Sequence, residues 1–270
     1  MNSGMNDNDI MNSVKAHWNS VSDSEWYKSL RTDERLARLK EQPESAFHPA
    51  VWELLRKYIP DLNGRRVLLP SSGNNHAAFA FALMGARVTS ADISERQLEN
   101  AAAAAERLGL GIEFLCDDTA ALAHIPDNAF DLVYTSNGTL SWISGIADMY
   151  RNISRVLVPG GLSVMYDVHP FTRPFSCEPW KQPKVVKSYS DVFPDLHHRV
   201  MDIVNAQAAA GLTIREMAEL PAADASFWYT YDELKNKAPG ELSGINDPKK
   251  NPMAALPVWL TIISEKYAAA

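Results

Sequence analysis

Cysteine is nearly absent: Cys116 and Cys177 are the two in 270 residues. Two thiols make no disulfide framework, and a reducing cytoplasm is the expected setting. No apolar run approaches the ~20 residues needed to span a bilayer, so no membrane partner is expected. The opening MNSGMNDNDIMNS is polar and lacks the charged-then-apolar layout of a secretory leader. A basic excess is missing too. Asp and Glu number 33 against 26 Lys and Arg, a net charge of −7. A general nucleic-acid binder is usually basic, so nucleic acid is not an expected partner. No internal repeat is visible. There is no G-x-S-x-G elbow, which argues against a serine hydrolase. His197 and His198 are adjacent and point apart on any regular element, with no Cys or carboxylate at a supporting spacing, so no metal site is expected.

What is present is an apolar content of 46%, enough for one large α/β domain. Residues 1 to about 13 read as disordered. Residues 14–39 read as one or two helices, and 48–59 as an amphipathic helix with Pro49 in its first turn. Strands are expected at 67–69, 87–91, 111–116, 130–135 and 162–168. Helices fall between them at 77–84, after a cap at Ser94 as far as Gly109, and at 148–156. A helix at 199–211 runs into a sixth strand, LTIREMAEL, and 258–267 is the last strand. Such alternation implies a mostly parallel sheet covered on both faces. Residues 1–48 form an N-terminal helical lid segment and 49–270 the ligand-binding domain. The long connection 221–257 has little periodicity and is read as a cover on the substrate side.

The densest signal is VLLPSSGNNHAAFAFALMGARVTSAD, residues 67–92. It reads as a buried strand, a turn of small residues, a helix ended by Gly85, and a second strand ending in Asp92. An acid at that strand end suits the two ribose hydroxyls of an adenosine. The G-x-G-x-x-G spacing of a dinucleotide fold is absent, since Ser71, Gly73 and His76 occupy those places. A βαβ unit with no ligand is the bland alternative.

The segment resembles motif I of the class I S-adenosylmethionine (SAM) methyltransferases without gaps. Ser71, Gly73 and Asn75 stand at the three glycine positions, and Leu69 stands where the family often has Asp. A second segment, RVLVPGG at 155–161, matches the family at a fitting distance, its Pro-Gly-Gly read as a tight turn into the fifth strand. The resemblance implies an α/β Rossmann-like fold: seven strands, mostly parallel, helices on both faces, an antiparallel last strand. It implies SAM as cofactor and S-adenosylhomocysteine (SAH) as product. Ser71, Ser72, Gly73 and Asn75 would cradle the cofactor, Asp92 would hold its ribose and Ile93 would pack on adenine. Asp117 corresponds to the family's acceptor for the adenine amino group. Asp118 either joins the site or caps a helix starting near Thr119. Ser136 and Asn137 lie where the family passes between the methionine end of SAM and the substrate, or form an ordinary polar turn. Trp142 either lines the pocket or packs in the core.

His169 at the fifth strand's end is the first candidate for a general base. Its alternative is a histidine that satisfies local backbone. The aromatic residues of the N-terminal segment suit a cover over a flat or apolar small molecule, and Tyr27 and His17 are its candidate catalytic residues. The reading is direct in-line methyl transfer to an oxygen or nitrogen of a small molecule, a secondary metabolite being one analogy-based possibility. The alternative is a SAM- or nucleoside-binding protein of the same fold that moves no methyl group.

Overall fold

The computed structural model describes residues 7–73, 76–191 and 196–268. Three helices come first: α1 (Asp7–Val21), α2 (Glu25–Leu30) and α3 (Asp33–Glu41). The stretch expected to be disordered up to about residue 13 is therefore helical from Asp7. Once a helix is anchored at one turn, propagation is cheap even through polar residues. Ser24 and Thr32 cap α2 and α3 through their hydroxyls. α4 (Pro49–Tyr58) follows, with Pro49 at the first position and His48 accepting the Ala50 N–H.

β1 (Arg66–Leu69) shows why the sheet is central. Val67, Leu68 and Leu69 are all fully buried. Val67 and Leu69 enter one core and Leu68 the other, as a strand covered on both faces must. β1 pairs in parallel with β2 (Arg87–Asp92), and β2 with β3 (Ile112–Cys116) at the edge. On its other side lies β4 (Phe130–Thr135), parallel, then β5 (Leu157–Val168), also parallel. β6 (Leu212–Leu220) is buried only at its two ends and alternates exposed and half-buried residues between them, as suits the edge of the sheet. β7 (Trp259–Lys266) runs antiparallel between β5 and β6. The order among the described residues is β3-β2-β1-β4-β5-β7-β6. It reverses between β1 and β4, and ligands of such sheets bind at the strand carboxyl ends there.

α5 (His76–Leu83) and α6 (Glu95–Leu108) pack with α3 and α4 on the first face. α7 (Ile146–Val156) and α8 (Val200–Ala209) cover the second. Connection 221–257 has a small core around Trp228, Ile245 and Met253, joined by Val258 just before β7, and includes α9 (Tyr231–Lys235). Among the described residues no helix is long and apolar enough to cross a membrane.

Two local expectations are corrected. No helix starts near Thr119; residues 117–129 run as turns and irregular backbone. Arg155 holds them, donating to the Leu122 and Ile125 carbonyls at 2.7 and 2.8 Å and to Asp127 at 2.7 Å. Pro159-Gly160-Gly161 does not turn the chain into a strand, because β5 already begins at Leu157. Instead it absorbs a register shift against β4, from Phe130↔Leu157 to Leu132↔Leu162. A Cβ on Gly161 would stand 2.8 Å from the Val158 carbonyl oxygen and 3.2 Å from that of Phe130. Gly161→Ala should therefore cost about 2 kcal/mol, seen as a lower urea midpoint at unchanged slope.

Candidate functional site

The turn after β1 is built to keep backbone against a carboxylate. Ser71 has φ +49°, so it holds the left-handed backbone of the glycine it replaces, at a cost of about 1 kcal/mol. Its hydroxyl shares a 2.6 Å hydrogen bond with the buried Thr119, tying this turn to the loop after β3. Ser72 turns inward, its N–H donating to the Ala91 carbonyl at 3.0 Å and its hydroxyl 2.5 Å from that of Ser90. Gly73 has φ +50°, and its N–H donates to Asp92 Oδ2 at 2.7 Å. Asn75 lies outside the described residues.

Asp92 is 7% exposed at the end of β2. Its Oδ1 accepts the Ser94 N–H at 2.8 Å. Burial holds its pKa above the usual carboxylate range, opposed by the N–H groups of Ser94, Gly73 and Ile93. Ile93 is half-buried beside it. Ser94 caps α6 as expected, accepting the Gln97 N–H at 3.1 Å. Gln97 itself is 1% exposed, and neither polar atom of its amide has a hydrogen-bond partner. Its Cδ would stand 3.8 Å from a Cβ on Gly73. Tyr27 of α2 comes from above and faces Gln97 without closing a bond of normal geometry. Burial, then the charge of Asp92, pushes its hydroxyl up to about 12.

Asp117 is buried and spent on its own loop. Its carboxylate accepts the N–H of Asp118 at 2.9 Å, Ala123 at 3.2 Å and His124 at 2.9 Å. Asp118 is half-buried and accepts the Ala120 N–H at 3.1 Å, an Asx turn rather than a helix cap.

The loop after β4 is pinned by a residue not nominated from sequence. Asp167, 2% exposed, accepts the N–H groups of Gly138 and Leu140 at 2.9 Å each and of Val168 at 2.7 Å. Ser136, half-buried, and Asn137, exposed, stand at the tip of this loop.

His169 follows directly, 2% exposed. Its Nδ1 accepts the Phe171 N–H at 3.0 Å, which assigns the proton to Nε2, 2.9 Å from Glu219. Both ring nitrogens are engaged, so this ring caps a turn and offers no lone pair to an acceptor.

His17, exposed on α1, stacks on Trp142 at 5.0 Å, and Trp18 meets Trp142 at 5.1 Å and Tyr27 at 6.4 Å. These contacts join the N-terminal helices to the segment after β4. Polar bonds fasten the same helices to α6 and α5. Ser94 donates to Asn19 at 2.6 Å, Arg96 pairs with Asp23 at 2.8 Å, and Lys15 pairs with Glu95. His76 bonds the Leu30 carbonyl at 2.8 Å.

The structure thus brings Ser71–Gly73, Asp92, Ile93 and Tyr27 together, and His17 with Trp142 a step away. Gln97 had a legible signal: it lies on the stripe of α6 that Ala101, Ala104, Ala105 and Leu108 bury, where an amide needs a reason.

Residues 68–165 match the family model described as a methyltransferase domain. A Bacillus subtilis (strain 168) protein, "uncharacterized methyltransferase YbaJ", is 26% identical over 177 residues, 62% of this chain and 68% of that one. The [4+2]-cyclase SpnF is similar in structure at 23% identity, with a TM-score of 0.54 over 80% of each chain. Geranyl diphosphate C-methyltransferase from Streptomyces coelicolor A3(2), solved with Mg2+, geranyl diphosphate and SAH, reaches 0.62 at 14% identity over 95% of this chain and 98% of that one.

Proposed function

We propose that this chain, whose residues 68–165 match a methyltransferase domain, is a class I SAM-dependent methyltransferase that carries a methyl group from SAM directly to an oxygen or nitrogen of a small molecule. The observation behind the reading is the group formed by Gly73, Asp92 and Gln97. A buried amide with no partner is unfavourable by about 1–3 kcal/mol, and here it lies beside a buried carboxylate and bare backbone. A ribose diol would satisfy both, so the residues present fit the cofactor. Bound SAM would supply an electrophilic methyl carbon, leaving SAH as product.

The chain's own work is to hold, align and enclose. Asp92 and Gln97 would take the sugar, while Ser136 and Asn137 stand over β4 for the amino-acid end. In this reading α1 and α2 form the lid, and Trp18, Tyr27 and Trp142 keep water from the reacting centre. With His169 engaged and Tyr27 hard to ionise, alignment rather than a strong base supplies most of the acceleration. His17 is the remaining titratable candidate at the lid. The aromatic cover and the absence of a basic excess favour a small acceptor.

The fold also serves other chemistry, as the cyclase shows, so the test must read transfer and not binding alone. The chain is incubated with methyl-labelled SAM and a metabolite extract. Label on a small molecule with SAH formed in step supports the reading. SAH binding with no label transferred to any component rejects it. Asp92 also predicts a pH dependence. Its carboxylate accepts best when ionised, and its pKa is raised by burial. SAH affinity should therefore fall on acidification earlier than an exposed aspartate would allow, followed by calorimetry across the acid range.

A further inference from the structure

Arg173 is a half-buried cation at the carboxyl edge of the sheet. It closes the short turn Pro170–Thr172 that follows β5, its N–H donating to the Pro170 carbonyl at 3.1 Å. His169 Nδ1 caps that turn, and the buried Thr172 hydroxyl donates to the His169 carbonyl at 2.8 Å. The turn is thus fixed and aims the side chain at the loop after β4, where the guanidinium donates to Ser141 Oγ at 2.8 Å. That bond uses one of five N–H donors, and Ser141 keeps its own O–H to give. Among the described residues no carboxylate pairs with Arg173. A charge partly withdrawn from water without a counterion is costly.

Arg173 and Ser141 share the wall of a recess with Asp167, Pro170, His197 and His198. Its volume is about 10 Å3, room for one water-sized group. It can seat the head of a ligand but not the body. Asp167 is the one carboxylate on the described wall, and it feels the Arg173 charge. Its oxygens are already taken by the N–H groups of Gly138, Leu140 and Val168. His198 turns Nε2 to the Ile143 carbonyl at 2.6 Å. What the recess has left to offer are the donors of Arg173 and Ser141.

We propose that Arg173, with Ser141, binds a carboxylate of the methyl acceptor, which is therefore a small carboxylic acid methylated at another oxygen or nitrogen. The assignment rests on the methyltransferase reading above. The guanidinium fork matches a planar carboxylate better than a point charge would. β1, β4 and β5 are parallel neighbours. The turn carrying Gly73 and the turn carrying Arg173 therefore lie on one edge of the sheet, two strand spacings or about 10 Å apart. Between them is the loop after β4, which bears Ser136 and Asn137 and to which Arg173 is bonded. An acid anchored at Arg173 extends its far end over that loop, toward the Gly73, Asp92 and Gln97 group.

The test uses the full chain saturated with SAH, titrated by calorimetry with benzoate, benzamide and phenyl phosphate. Benzoate and benzamide share a shape and differ in charge, and phenyl phosphate carries a bulkier anion. Benzoate should bind about tenfold more tightly than benzamide, and more tightly than phenyl phosphate. Arg173→Gln should erase the preference for the acid. Arg173→Lys keeps the charge without the fork and should restore part of it, which a misfolded chain would not do. SAH affinity should stay within about twofold of wild type in both variants. Equal affinity for acid and amide, a preference that survives Arg173→Gln, or tighter binding of phenyl phosphate overturns the assignment. So does a loss of SAH affinity in Arg173→Gln, which would give the arginine to the cofactor. In the labelling experiment the methylated product should be retained by an anion exchanger at neutral pH. A labelled product that passes through uncharged sinks the anchor alone, while failure of SAH itself to bind sinks the methyltransferase reading beneath it.

Discussion

Asp92→Ala should weaken SAH binding by about two orders of magnitude. The buried carboxylate of Asp92 faces the turn after β1, and both its oxygens already orient local N–H groups, from Gly73 and Ser94. Hydrogen bonds to a charged acceptor contribute about 1.5–3 kcal/mol each. Losing the ribose contact together with the alignment of Gly73 gives roughly 3 kcal/mol, or about a hundredfold in Kd. Calorimetry with SAH measures it directly. Asp92→Asn keeps the shape and an acceptor oxygen, and should fall between the two. A Kd for the alanine variant within about threefold of wild type would mean that the sugar is held elsewhere.

Asp167→Ala is the largest expected effect on stability. The substitution strips the acceptor from three backbone N–H groups, those of Gly138, Leu140 and Val168, in a residue 2% exposed. Each orphaned donor costs about 1–3 kcal/mol if it stays dry. The loop lies at the mouth of the sheet and can relax toward water, so the net is about 3 kcal/mol rather than the sum. For a chain of this size that is a fall in Tm of roughly 10 °C. SAH affinity should fall as well, because the clamp places Ser136 and Asn137. An unchanged melting curve would show that the loop is held without it.

The sheet was legible because its signal is local. Val67, Leu68 and Leu69 read as a strand buried on both faces, and Ser94 and Gly109 announce the two ends of α6. The position of Asp92, buried at the end of β2, followed from the strand-end rule. Other roles were set by partners distant in sequence. His169 was read as a candidate base, but Glu219, fifty residues on, and the turn at Phe171 occupy its ring. Asp167 stood near the end of the strand expected at 162–168 with no role read for it, since two of its three donors, Gly138 and Leu140, come from the backbone of another loop. Pro159-Gly160-Gly161 has turn composition, yet its place in β5 depends on where β4 lies. The early start of α1 was missed because polar residues carry little hydrophobic period to detect. The Asn75 expectation falls outside the described residues.

α1 and α2 are fastened to the body in part by exposed charged pairs, Arg96 with Asp23 and Lys15 with Glu95 among them, while α3 and the sheet are held by buried apolar surface. Those two kinds of attachment answer to different solvents. Added electrolyte screens the first and leaves the second intact or stronger. In the proposed reading, where α1 and α2 form the lid, rising ionic strength should loosen that cover while the sheet stays folded, so turnover would respond to the surrounding salt.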